Sequence, residues 1–346
     1  MANANYLRLS SRVVFLLIGS NLAIANLLAD DDVALNAKLI RVDKIWSEAM
    51  HSAFTDLIRW NEKWYCAFRE GQTHVGSQGQ LRIITSDDGG KWTSAATLTD
   101  PTYDLRDANL SLMPDGRLMA VGGAQLADGT KRKTGTFASY STDGIEWTPP
   151  ALILPVGRWM WGVTWHDGIA WGVSYGTPER HGINSLMTSK DGKQFETYIE
   201  NFFAEKDWPT EARIRFASDG TAYCLQRLDG DPNLAYLGSA TPPYRDWKWS
   251  NLQKYIGGPN LLQLPSGEWI AAGRLMENKK PRTVLMYLDV KNGIATSILD
   301  LPSGGDCSYP GLVWHEGRLW MSYYSSHEKK TCIYLAQIDI DLKNAK

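Results

Sequence analysis

The stretch Leu261-Leu262-Gln263-Leu264-Pro265-Ser266-Gly267-Glu268-Trp269-Ile270-Ala271-Ala272-Gly273-Arg274 reads as an apolar strand, a tight Ser-Gly turn and a second apolar strand. The same hairpin recurs at 57–69, 110–123, 163–176, 214–227 and 312–325, six copies in all, mostly with Asp-Gly, Ser-Gly or Glu-Gly at the turn. Their spacing is roughly 50 residues, a period that defines the architecture before any single side chain is interpreted. One hairpin cannot bury both of its faces. Repetition about an axis buries them and protects the strand edges. A roughly 50-residue unit holds four strands, so the expected fold is all-β, a six-bladed β-propeller of four-stranded antiparallel blades. An open solenoid would need polar capping repeats at both ends. Instead, Lys38–Val42 and Ile333–Ile338 both read as strands, and their pairing in one blade would close the ring.

Outward from the hairpins, Ser86-Asp87-Asp88-Gly89-Gly90-Lys91-Trp92, Ser141-Thr142-Asp143-Gly144-Ile145-Glu146-Trp147 and Ser189-Lys190-Asp191-Gly192-Lys193-Gln194-Phe195 repeat a Ser-x-Asp-Gly-x-x-aromatic pattern. The Asp carboxylate is placed to accept backbone N–H groups of its own turn, Gly permits positive φ, and the aromatic anchors the turn. This Asp is read as structural, not as a metal ligand or catalyst. The pattern is the Asp box. With the six hairpins, it makes residues 36–340 resemble the sialidase (neuraminidase) superfamily, as a divergent member.

The chain has 15 Trp, 15 Tyr and 31 Gly, and a formal net charge of −2, which gives no case for a nucleic-acid partner. Residues 1–25 read as a signal peptide: Arg8 and Arg12 precede apolar Val13–Ala25, and Ala23-Ile24-Ala25 is a small-x-small cleavage site. That apolar run is too short to span a bilayer. Residues 26–35 read as a polar leader and 36–346 as a single propeller domain. The expectation is a secreted or periplasmic monomer without a stable membrane anchor. Of the four cysteines, Cys66 and Cys224 fall on corresponding strands of repeats facing each other across the ring and read as buried thiols. Cys307 and Cys332 share the last repeat, which leaves a bridge between them open. No zinc spacing and no cofactor motif is visible.

The resemblance also implies a chemistry. Ser308-Tyr309-Pro310-Gly311 resembles the segment in which a sialidase Tyr is the nucleophile, and Thr210-Glu211-Ala212 the segment of its glutamate base. A phenol needs such a base near neutral pH, and a neutral nucleophile avoids bringing a carboxylate against an anionic sugar. Of the arginines that clamp a substrate carboxylate, Arg227 matches one, and Arg282, with Arg274 as its alternative, another. The remaining one is missing, because Ala53-Phe54-Thr55-Asp56-Leu57 stands at its place, and Asp56 there would suit a neutral sugar's hydroxyls. Arg69 matches a further pocket arginine and Asp107 a pocket Asp. Where the general acid is expected, Gln72–Gly76 offers only His74, a side chain of the type that acts as acid or base. His51 and His327 are weaker candidates, and Trp159, Trp161 and Tyr175 form either a sugar-stacking wall or inter-blade packing.

The implied function is an exo-acting glycoside hydrolase releasing a terminal sialic acid or another acidic or modified sugar, with a glycan as partner and no cofactor. Two alternatives remain. One is a polysaccharide lyase using a His base and a Tyr acid. The other is a non-catalytic glycan-binding propeller, since the fold hosts many functions.

Overall fold

The computed structural model describes residues 35–126, 134–176, 184–205 and 208–342; the expected signal peptide and nearly all of the leader lie outside them. Among the described residues there is no helix. The chain begins with β1 (Leu35–Trp46). The first blade is β2 (His51–Trp60), β3 (Lys63–Gly71), β4 (Gln80–Ser86) and β5 (Thr93–Leu98). The second is β6 (Tyr103–Leu112), β7 (Leu118–Leu126), β8 (Thr134–Ser141) and β9 (Ala151–Leu154). The third is β10 (Arg158–His166), β11 (Ile169–Gly176), β12 (Asn184–Ser189) and β13 (Glu196–Ile199). The fourth is β14 (Pro209–Phe216), β15 (Ala222–Leu228), β16 (Ala235–Ala240) and β17 (Lys248–Asn251). The fifth is β18 (Gly257–Gln263), β19 (Trp269–Glu277), β20 (Lys280–Asp289) and β21 (Ile294–Asp300). The sixth is β22 (Cys307–His315), β23 (Arg318–Glu328) and β24 (Lys330–Leu342), completed by β1 from the other end of the chain.

Ring closure comes from that last blade. Strand β1 runs antiparallel to β24 from Leu35↔Leu342 to Trp46↔Ile333. Leu35, read from sequence as the end of the leader, is therefore buried in the first strand. A single parallel bridge, His51↔Thr331, joins the first blade to the sixth. The first strands of neighbouring blades touch in a closed circle around the axis.

The core is divided among the seams. Apolar clusters fill the interfaces between adjacent blades, for example Leu81, Ile83, Leu105 and Leu118 between the first two. Leu225 and Leu237 of the fourth blade pack against Leu261 and Trp269 of the fifth. Ile270 and Leu285 of the fifth blade pack in turn against Leu319 and Tyr323 of the sixth. Each such side chain contributes roughly 1.5–3 kcal/mol on burial, so the ring is held by its seams and not by a central core.

The Ser-x-Asp-Gly-x-x-aromatic turns act at these seams. Asp88 Oδ1 accepts the N–H groups of Gly90 and Lys91, at 2.8 and 3.1 Å, and Trp92 Nε1 donates to Gly89 O at 3.0 Å. Asp143 and Asp191 repeat the arrangement. Gly89 and Gly144 have φ of 74° and 77°. A Cβ on either would lie 2.5 Å from the preceding blade's Trp320 or Tyr65 ring, so close approach as well as positive φ requires Gly there. The fourth blade makes a related turn without the Asp: Tyr244, at φ 65°, takes the Gly position, and Trp247 Nε1 donates to its carbonyl at 3.0 Å.

All four cysteines are buried free thiols. Cys307 pairs with Ser325 on one side and Cys332 with Ser325 on the other. Two strand spacings, about 9–10 Å, separate them, beyond the reach of a disulfide.

Candidate functional site

Every first strand carries a bulge at the same level. The register slips between Ala53 and Asp56, Arg106 and Asn109, Trp161 and Thr164, Pro209 and Ala212, Gly257 and Asn260, and Ser308 and Gly311. A bulge leaves a residue unpaired and re-aims its side chain. Five of the six hold a left-handed residue: Phe54, Asp107, Gly162, Gly258 and Tyr309, with φ between 53° and 63°. Glu211 lies on the remaining bulge. Phe54, Asp107, Gly258 and Tyr309 line one small cavity of about 10 Å³ together with Trp161, Arg213 and Asn260. The two glycines leave room: a Cβ on Gly258 would lie 2.6 Å from the Tyr309 ring.

Tyr309 and Glu211, 98 residues apart in sequence, meet here. The Tyr309 hydroxyl donates to Glu211 Oε1 at 2.5 Å. Glu211 Oε2 accepts Gly258 N–H at 2.8 Å and lies 2.6 Å from Arg227 Nη1. Arg227 Nη1 also reaches the Tyr309 hydroxyl at 3.3 Å, and its Nε bonds Asp229 at 2.8 Å. Burial alone would raise the Glu211 carboxyl, but the Arg227 charge and the bonds from Tyr309, Arg227 and Gly258 outweigh it and hold it below the usual carboxylate range. Burial, with the Glu211 charge beside it, holds the Tyr309 phenol well above its ordinary value against the pull of Arg227 and Arg274. The resting pair is thus a phenol hydrogen-bonded to a carboxylate, with the proton on the phenolic oxygen.

Arg274 stands with its guanidinium 5.7 Å from the centre of the Tyr309 ring. One of its N–H groups goes to Cys307 O at 3.3 Å. Phe54 and Trp161 meet the Tyr309 ring edge-on, 5.1 and 5.3 Å between centroids. Trp161 is buried packing, while Trp159 and Tyr175 stack at 6.2 Å.

Asp107 is buried, and its Oδ1 has no hydrogen-bond partner. Burial pushes its carboxyl up to about 6, opposed by Arg106 and reinforced by the Glu211 charge. Arg106 Nε lies 3.9 Å from Asp107, and its guanidinium sits 4.9 Å from the Phe54 ring. His74 lies on the loop after β3, its ring 5.1 Å from Phe54 and its Nδ1 2.6 Å from Asp306 Oδ2.

Three expected substrate-binding residues are placed elsewhere. Arg282 is at the start of the ladder between β19 and β20 and forms ion pairs with Glu277 and Asp300, away from Tyr309; Arg274, its alternative, is the fifth-blade arginine at the pocket. Arg69 is fully buried. It grips Asp104 through Nε at 2.6 Å and Nη2 at 3.1 Å, and donates to Thr73 O and Ser77 O. Buried and with four of its five N–H donors engaged, it shapes the His74 loop. Asp56 is buried below the pocket, bonded to Arg213 Nη2 at 3.1 Å and to Leu110 N–H at 2.9 Å. It joins the first blade to the fourth across the axis, with both carboxylate oxygens engaged by protein donors.

Sequence reading missed Arg213, Asp306 and Tyr324. For Arg213 a signal existed: Glu211, Arg213 and Arg215 alternate with Ala212, Ile214 and Phe216, a strand with charge along one entire face. Asp306 had none beyond lying three residues before Tyr309.

A closed six-bladed ring with Tyr309 and Glu211 at its first-strand bulges and Arg227 beside them is the class of protein that fold and site define. The chain's fold is the propeller found in sialidases and arabinanases. No protein-family model matches it, and no curated protein matches it in sequence. Among solved structures it is similar to a Dyadobacter fermentans protein of unknown function, with TM-score 0.72 and 18% identity over 89% of this chain and 100% of that one. It is also similar to a Penicillium chrysogenum α-L-arabinanase complexed with arabinobiose, with TM-score 0.68 and 13% identity over 87% of this chain and 98% of that one. A Trypanosoma rangeli sialidase matches with TM-score 0.65 and 10% identity, over 87% of this chain but 59% of the sialidase. At such identities the likeness is one of fold.

Proposed function

We propose that this protein is an exported retaining exo-glycosidase acting on a terminal sialic acid or another acidic sugar. The observation that carries the reading is the buried Tyr309–Glu211–Arg227 contact, with 2.5 and 2.6 Å separations on the two sides of one carboxylate. Tyr309 Oη attacks the anomeric carbon as its proton passes to Glu211 Oε1. Asp107, whose raised carboxyl is a neutral acid at mildly acidic pH, protonates the departing glycosidic oxygen. In the second half-reaction Asp107 takes a proton from water, the hydroxide adds to the anomeric carbon, and Tyr309 leaves and recovers its proton from Glu211. Arg274 is the guanidinium with donors to spare for the sugar's anionic group, because Arg227 is committed to Glu211 and Asp229. The glycan-hydrolase neighbours support a carbohydrate substrate, and the Arg8–Ala25 leader pattern supports export.

The test is turnover of fluorogenic sialosides, uronides and arabinofuranosides by wild type and Tyr309→Phe, with mass spectrometry of a fluorinated-sugar adduct. An adduct on the peptide holding Tyr309, and loss of turnover in the variant, are expected. Unchanged turnover by Tyr309→Phe overturns the proposal.

A further inference from the structure

Three side chains distant in sequence converge at the seam where the ring closes. His51 opens β2, His74 lies on the loop between β3 and β4, and Asp306 precedes β22. His51 Nε2 is 2.9 Å and His74 Nδ1 2.6 Å from the same oxygen, Asp306 Oδ2. The imidazoles lie 5.4 Å apart at 70°, and the three atoms able to bind a cation fall within 4.8 Å of one another.

The surroundings hold this arrangement in place. The Tyr324 hydroxyl donates to Asp306 Oδ1 at 2.8 Å, which turns Oδ2 toward the two imidazoles. Asp306 N–H bonds Ser326 Oγ at 2.7 Å. Arg69 fastens both sides of the loop bearing His74 through Thr73 O and Ser77 O. His51 is buried, packed against Phe54 and Tyr324. The His74 and Asp306 side chains are 46% and 26% exposed, so an ion can reach the cluster from solvent.

We propose that His51, His74 and Asp306 form a binding site for a divalent transition-metal ion of the zinc class. Two imidazole nitrogens and one carboxylate oxygen suit such an ion, whereas calcium and magnesium take oxygen ligands almost exclusively. A fourth position is left for water or a substrate oxygen, as in three-ligand zinc centres. Zinc–ligand bonds of about 2.0–2.1 Å in a tetrahedron place ligand atoms roughly 3.3 Å apart, so the two nitrogen–oxygen separations of 2.9 and 2.6 Å widen by less than an ångström on binding. The Tyr324 hydroxyl on Asp306 is the outer hydrogen bond that orients a ligating carboxylate. Arg274 Nη1, 3.8 Å from Oδ1, opposes a cation and weakens its binding. Because His51 and His74 belong to the first blade and Asp306 to the sixth, a bound ion also clips the closing seam beside the lone His51↔Thr331 bridge.

The experiment uses the full chain stripped with EDTA. Zn²⁺ is titrated calorimetrically, and Co²⁺ by its visible absorption, at about pH 7.5. One ion per chain and a higher Tm with Zn²⁺ are expected. His74→Ala and Asp306→Asn should each lower affinity at least roughly tenfold with near-ultraviolet circular dichroism unchanged, and His327→Ala should have no effect. No saturable binding, or binding that survives His74→Ala, overturns the proposal and leaves a hydrogen-bonded His–Asp–His cluster only. His74→Ala alters an exposed side chain, so the test does not depend on the folding of the buried His51 variant. Binding is read without turnover, so this result stands apart from the fate of the glycosidase reading.

Discussion

If Tyr309 and Glu211 act as one nucleophilic unit, removing either should cost about as much as removing both. Glu211→Gln keeps the shape and the Gly258 contact but cannot take the phenolic proton across the 2.5 Å bond. Loss of a general base lowers kcat/KM by about 10²–10⁴-fold, and Tyr309→Phe should fall at least as far. The double variant should be no worse than the poorer single, since members of such a unit are strongly non-additive. Stability should behave differently. Glu211→Gln leaves Arg227 without the carboxylate 2.6 Å from Nη1, but Asp229 still holds Nε at 2.8 Å. The full penalty for orphaning one side of a buried pair, about 3–5 kcal/mol, is therefore reduced to about 1–3 kcal/mol, or roughly 2–4 °C in Tm per kcal/mol. The assay is kcat/KM for the best fluorogenic substrate in the four-member cycle, with Tm measured alongside. A double variant whose loss is the product of the two single losses, or a Glu211→Gln enzyme within about threefold of wild type, would refute the reasoning.

Other outcomes follow from the same geometry. Asp107 has a folded value raised from 3.8 to about 6, so its contribution to stability is complete below the unfolded value and is lost as pH rises through the folded one. Asp107→Asn should accordingly be more stable than wild type above about pH 6, by about 2–3 kcal/mol, and should lose the alkaline limb that wild-type kcat/KM shows near that pH; an unchanged profile counts against Asp107 as the acid. Arg274→Met should raise KM for an acidic sugar about 10–100-fold and leave a neutral glycoside unaffected, as steady-state kinetics on paired substrates would show. Arg213→Met strands the buried Asp56 carboxylate and should cost about 3–5 kcal/mol in urea unfolding. Adding Asp56→Leu should recover most of that loss, and failure to recover would mean that the trans-axial pair is not its source.

The hairpin repeat and the Ser-x-Asp-Gly turns were legible because their physics is local. A turn Asp accepts N–H groups two and three residues ahead, as Asp88 does, and alternating apolar residues state which faces must be buried wherever the blade lies. The related turn of the fourth blade escaped notice because Tyr244 adopts the left-handed conformation that the pattern assigns to Gly. Tyr309 and Glu211 could be named for the same reason: their segments are short and resemble a known local motif. The arginines could not be sorted that way. Arg69, Arg274 and Arg282 all sit at hairpin ends, yet Asp104 engages the first, Glu277 and Asp300 engage the last, and of the three only Arg274 is left beside Tyr309.

By itself, then, the sequence determined the number of blades and the turns that staple them, through interactions within one hairpin or one turn, while a resemblance to a known motif named the two residues at the centre of the proposed chemistry. Ring closure decided the rest. Asp56 meets Arg213 across 157 residues, and Asp306 meets His51 and His74 across 255 and 232. No local pattern encodes such pairs, because the distances between blades exist only once all six first strands have closed around the axis.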